Sequence, residues 1–184
     1  MEGFGLALAS HLVRRPNTTL IATIRSSSTS TTELKALQVG TNSKLIIETL
    51  PVVSDTAADD LMSTLVNKYG ITQLDIVIAN AGHGDADSFK PILSTDLKAL
   101  RENFEINALG PVKLFQATSK YLKKSPNPKF ILVTAMLGSI SGMQGPLTKA
   151  PTLAHGASKA SASFFVRKAH FEHEEITTMA IAPG

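Results

Sequence analysis

Apolar side chains recur along this chain in two rhythms, one with a helical period of about 3.6 and one of short, nearly continuous runs. Residues 3–14 (GFGLALASHLVR) follow the helical rhythm and stop before Pro16 and Asn17. Residues 18–24 (TTLIATI) are rich in β-branched side chains and predict a buried strand. The polar run Ser26 to Thr32 reads as a connection that can cap a short helix over 33–38. KLIIETL (44–50) predicts a second strand, and Asp55 suits the N-cap of a helix over 56–69 closed by Gly70. LDIVIAN (74–80) is a third strand, nearly all apolar, followed by Ala81, Gly82, His83 and Gly84. A long helical pattern covers 96–123, KFILVTA (129–135) makes a strand, and 136–152 is a polar loop with glycines. A helix over 155–172 and a last strand over 176–184 complete the chain.

Strand and helix alternate throughout, which predicts an α/β fold: a doubly wound parallel sheet between helices, three layers in all. A strand apolar on both faces that ends in small residues, as 74–82 does, suggests a ligand at the carboxyl edge of such a sheet. A doubly wound nucleotide-binding sheet opens with strand, glycine-rich turn and helix, whereas this chain opens with the helix. The expectation is therefore one incomplete domain over 1–184, lacking the first, central strand as well as a C-terminal strand and helix.

Composition narrows the picture. The chain has 184 residues, 43% hydrophobic and 18% charged, which suits one globular domain with a sizeable core. No run approaches the roughly 18 unbroken apolar residues of a membrane span, and no signal peptide is indicated, so no membrane partner and a cytoplasmic setting are expected. With no cysteine, disulfide scaffolds and cysteine-based zinc sites are excluded. His11, His83, His170 and His173 show no metal-ligand spacing, so no metal is expected. The net charge of +3 comes from scattered basic residues, which argues against nucleic acid and suits an anionic small molecule or a solvated face equally well.

Certain residues stand in a telling order: Gly3 and Gly5; Arg25; Asn80, Ala81 and Gly82; Asn107; the loop after the fourth strand; His155 to Lys159; and Pro183 with Gly184. Over essentially the whole chain this order resembles the short-chain dehydrogenase/reductase family, with its Rossmann-like fold. Residues 104–118 and 155–172 resemble fungal ketoreductases of the norsolorinic-acid reductase type, enzymes of secondary metabolism. The resemblance implies that Gly3 and Gly5 end a glycine-rich turn that lets backbone amides approach a pyrophosphate. Arg25 would read the 2′-phosphate of NADP(H), a role a guanidinium suits through paired charge-assisted bonds. Asn80, Ala81 and Gly82 would lie against the adenine ribose, Thr134 would belong to the cofactor-binding set, and Pro183 with Gly184 would face the nicotinamide. Asn107 would hold a water of a proton relay at a helix irregularity.

In the family a Tyr moves the carbonyl proton, a Lys one turn later lowers the Tyr pKa and holds the nicotinamide ribose, and a Ser polarises the substrate oxygen. Here Lys159 is present, but His155 stands at the Tyr position and Ala135 at the Ser position. Ser139 or Thr134 would have to supply the hydroxyl. An imidazolium can donate a proton to a developing alkoxide, although a neighbouring ammonium disfavours that charged form. The resemblance thus implies an NADPH-dependent reductase of a ketone on a polyketide or aromatic-type substrate, impaired in rate, and a homo-oligomer by family analogy. The alternative is a catalytically inactive, truncated relative that binds at most a nucleotide or a partner.

Overall fold

A computed structural model describes residues 3–183, which fall into two compact units, one ending at Leu61 and one starting at Met62. The strands form two parallel sheets, a pair of order β1-β2 and a triplet of order β3-β4-β5.

In the first unit, α1 (Phe4–Val13), β1 (Thr19–Ile24), α2 (Thr32–Lys35) and β2 (Lys44–Thr49) follow in order. The strands pair in parallel from Thr19 opposite Lys44 to Ile24 opposite Thr49. Their apolar residues, Ala22 and Ile24, bury with Ala9 of α1 and Leu34 of α2, and Leu6, Leu20 and Ile47 pack around them. Gly40 permits a backbone approach that no side chain would: a Cβ there would lie 2.3 Å from the Arg14 carbonyl oxygen. The Gly40 amide instead donates to Val13 at the end of α1, at 2.9 Å. α2 is shorter than the 33–38 expected. α3 (Ala57–Tyr69) crosses the boundary of the two units and ends, as expected, at Gly70, whose φ of +67° suits glycine. The helix begins at Ala57, so Thr56 rather than Asp55 precedes it directly, and Thr56 Oγ1 donates to Asp60 Oδ2 at 3.0 Å.

In the second unit, β4 (Lys129–Val133) lies between β3 (Ile76–Ala79) and β5 (Thr177–Ile181), parallel to both. Phe130 and Leu132 of β4 are each 1% exposed and centre the core, while β5 is an edge strand exposed along most of its length. The long helical pattern is one helix in sequence but three pieces in space: α4 (Leu97–Phe104), a π-helical stretch (Glu105–Leu109) and α5 (Gly110–Leu122). Pro111 supplies a physical reason. It has no N–H to give the carbonyl of Asn107 four residues earlier, so the regular ladder cannot continue there. Asp96 caps α4, its side chain accepting from the Lys98 amide at 2.7 Å. α6 (Leu153–Glu172) begins two residues earlier than expected and carries His155 and Lys159 one turn apart. The architecture is the expected α/β arrangement of parallel strands and helices. No helix among the described residues is long and apolar enough to cross a membrane.

Candidate active site

The chemistry-bearing residues of the second unit meet where β3, β4 and the first turns of α6 end. Lys159 is 6% exposed, and its ammonium donates to the Val133 carbonyl at 3.0 Å. Burial pushes its pKa below the ordinary lysine value. Gly82 leaves room beside it: a Cβ there would stand 3.4 Å from both Lys159 Nζ and Asn107 Oδ1. The loop after β4 reaches α6 backbone to backbone. A Cβ on Gly138 would lie 2.7 Å from the Lys159 carbonyl carbon, and one on Gly156 would lie 2.7 Å from the Leu137 oxygen. Glycine on each side of this contact seats the short 3-10 turn Met136–Gly138 on the helix and so places Ala135 and Ser139.

His155 is partly buried, with its Nδ1 3.1 Å from the carbonyl of His83 and its ring 5.2 Å from that of Phe89. Burial lowers its pKa, and the positive charges of Lys159 and of a protonated His83 act the same way, against the raising effect of the His83 carbonyl. Among the described residues, no three His, Cys, Asp or Glu side chains gather as a metal site.

Asn107 lies in the π-helical stretch, 1% exposed. Its Oδ1 accepts from the His83 amide at 2.7 Å and its Nδ2 donates to the His83 carbonyl at 2.9 Å, so one side chain holds both backbone groups of one residue. Nδ2 also reaches Ser158 Oγ at 3.0 Å, and that hydroxyl donates to the His155 carbonyl at 2.7 Å. Behind it, Asn103 donates to Ser88 Oγ at 2.8 Å and to the Ala99 carbonyl at 2.9 Å. Ser88 donates to Asp85 Oδ1 at 2.7 Å, and this bond holds the Asp85 carboxyl below its usual pKa. Asn107 Nδ2 also faces Asn103 Oδ1 at 3.3 Å, so a continuous polar network runs from Asp85 to the first turn of α6. Beside it, Nε2 of the His83 ring is buried without a hydrogen-bond partner among the described residues.

Two further hydroxyl candidates of the second unit bond outside this network. The Ser139 hydroxyl accepts from the Gly142 amide at 3.0 Å, closing a local turn on the exposed loop. Thr134 Oγ1 pairs with Ser163 Oγ at 3.2 Å, one turn beyond Lys159. Asn80 and Ala81 follow β3 in the turn that leads to His83. Pro183 is exposed after β5, and Gly184 lies outside the described residues. In the first unit, Gly3 precedes α1 with φ +80°, which glycine tolerates, and no side chain among the described residues caps that helix. Gly5 lies in its first turn, where amides lack an intrahelical carbonyl and so suit an anion. Arg25 follows β1, exposed and without an ion pair among the described residues.

His83, Ser88, Asn103 and Ser158 were not among the residues singled out from sequence. Asn103 stands four before Asn107, a helical neighbour on one face, and that spacing was the available signal. The pairing of His83 with Asn107 spans 24 residues and had none.

The second unit thus sets a buried lysine and an imidazole one turn before it beside the ends of parallel strands. The family model described as short chain dehydrogenase matches residues 1–184, and the chain belongs to that family. It is 38% identical over 184 residues to a norsolorinic acid ketoreductase of Aspergillus parasiticus, covering 100% of this chain and 67% of that protein. A norsolorinic acid ketoreductase of Emericella nidulans is 36% identical, with 100% and 68% covered. The chain thus spans about two thirds of the length of these relatives. Among solved structures, NADPH-bound carbonyl reductase from chicken fatty liver superposes with a TM-score of 0.83 at 24% identity, over 98% of this chain and 75% of that one. An alcohol dehydrogenase of Thermococcus sibiricus complexed with 5-hydroxy-NADP gives 0.74 at 19%, over 98% and 70%. At these identities the structures establish the fold.

Proposed function

We propose that this chain is an NADPH-dependent oxidoreductase that reduces a ketone on a polyketide or aromatic-type substrate, at a rate held down by His155 in the proton-donor place. The observation that carries the proposal is Lys159. Among the described residues, one of its three ammonium protons goes to the Val133 carbonyl, and Gly82 places no side chain beside it. The two remaining donors suit the vicinal hydroxyls of a ribose. In the first unit the uncapped start of α1 and the unpaired Arg25 suit the phosphates, and a guanidinium favours NADP over NAD. The ketoreductases among the relatives support the substrate class.

NADPH, when bound, would supply the hydride. Lys159 would hold the ribose, His155 would give a proton to the carbonyl oxygen, and Asn107 would keep the surrounding backbone in place. A second reading, nucleotide binding with little or no turnover, is favoured by one observation. Both candidate hydroxyls are engaged elsewhere, Ser139 with Gly142 and Thr134 with Ser163, and Ala135 carries none.

Titration with NADPH, followed by nucleotide fluorescence and compared with NADH, tests the proposal; no Trp interferes. The expected result is saturable binding that prefers NADPH and weakens in Arg25→Ala. Absence of binding to either nucleotide would overturn it. Ketone reduction by the nucleotide-loaded chain separates the two readings.

A further inference from the structure

We infer that the His83 carbonyl fixes the tautomer of His155 with its proton on Nδ1, so that Nε2 is the atom through which this side chain gives or takes a proton. The inference rests on the reading of His155 as the proton carrier and adds which of its two nitrogens acts. A backbone carbonyl has no proton to offer. An imidazole nitrogen 3.1 Å from one must therefore be the donor, and in the neutral ring the other nitrogen is left as an acceptor. The partner carbonyl is held in place, because Asn107 binds both the amide and the carbonyl of His83. The helix side of the ring is anchored as well, by the Ser158 hydroxyl on the His155 carbonyl and by Phe89 against the ring. No hydrogen-bond partner meets Nε2 among the described residues.

The charges facing this ring come from two elements. Lys159 stands one turn along α6, and the His83 imidazole lies on the loop after β3, its Nε2 3.5 Å from Asp85 Oδ2. Both basic groups disfavour a second proton on His155. In the reducing direction the imidazolium would give its Nε2 proton to the carbonyl oxygen, with the hydride for the carbon supplied by bound NADPH, and the ring would be left neutral with its proton on Nδ1. In the oxidising direction the Nε2 lone pair would take the hydroxyl proton, with bound NADP as the acceptor of the carbinol hydride. The second direction uses the ring in its neutral form, and the first requires it charged.

The test is a proton–nitrogen long-range correlation spectrum of the nucleotide-free chain carrying isotopically labelled histidine, recorded at about pH 8, above the ordinary histidine pKa. His155→Gln identifies the signal by its loss. The expected result is a His155 ring protonated on Nδ1 in preference to Nε2 by about fivefold or more, the bias that one hydrogen bond confers. His83→Ala keeps the backbone carbonyl and is expected to leave that preference in place. An even mixture or an Nε2-protonated ring in the parent chain would overturn the inference, as would a preference that vanishes in His83→Ala. Because the spectrum needs no nucleotide, its failure is distinct from failure of the NADPH titration. A chain that reduces ketones with an Nε2-protonated neutral ring would keep the reductase reading and lose this one.

Discussion

Gly138 and Lys159 touch backbone to backbone: a Cβ on the glycine would sit 2.7 Å from the lysine carbonyl carbon and 2.8 Å from the next amide nitrogen. The loop that carries Ala135 and Ser139 is thereby seated on the helix turn that carries Lys159. Gly138→Ala must push loop and helix apart. The expected cost is about 1–3 kcal/mol of stability, the range for overpacking a well-packed site. A shifted urea midpoint with unchanged slope would show it, and wild-type stability would mean that loop and helix can part at no cost.

Lys159→Met keeps much of the side-chain length and removes the ammonium. The Val133 carbonyl loses its donor and the proposed ribose contact disappears. NADPH affinity is expected to fall at least about tenfold, equivalent to about 1.4 kcal/mol. Circular dichroism checks that the fold survives, so that the loss can be assigned to the missing ammonium.

His155→Tyr places a phenol one turn before Lys159. A positioned general acid contributes about 10²–10⁴ in rate, and the imidazole is the poorer donor near neutral pH because its charged form is disfavoured. Ketone reduction in a single turnover is expected to rise by about tenfold or more, a part of that range. No gain would favour the reading in which the chain binds nucleotide without turnover.

The same imidazole makes stability depend on pH. Its folded pKa lies below the ordinary 6.5, chiefly through burial, so on acidification the unfolded chain takes up the proton first. Stability therefore declines as the pH falls through about 6.5, and this contribution levels off below the folded pKa, where both states are protonated. Comparing urea midpoints between about pH 7.5 and pH 5.5 in the parent chain and in His155→Gln isolates the effect. The variant is expected to show the shallower decline.

Asn103→Leu removes a fully buried amide and with it one donor to the Ser88 hydroxyl, which keeps the Asp85 amide, and one to the Ala99 carbonyl. A loss of about 0.5–1.5 kcal/mol per hydrogen bond removed is expected. Thermal or urea unfolding measures it. A neutral result would mean water restores the network.

The strands, the helices and their order were legible in the sequence, because each follows from neighbours three or four residues apart, or from short β-branched and apolar runs. TTLIATI became β1, KFILVTA became β4, and Gly70 ended α3 where its positive φ is tolerated. Lys159 one turn after His155 was equally local. The break in the long helix had its cause in view at Pro111, yet its form, a π-helical stretch around Asn107, depended on what Asn107 could grip. Tertiary structure alone decided that grip. His83 is 24 residues from Asn107 and 72 from His155 in sequence, and only the meeting of the turn after β3 with two separate helices makes its carbonyl common to both. It also decided that the Ser139 hydroxyl closes on Gly142 and that Thr134 turns to Ser163. The physical reason is that periodicity records which face of an element is apolar, whereas a hydrogen bond is decided by whichever polar group the packing brings within about 3 Å.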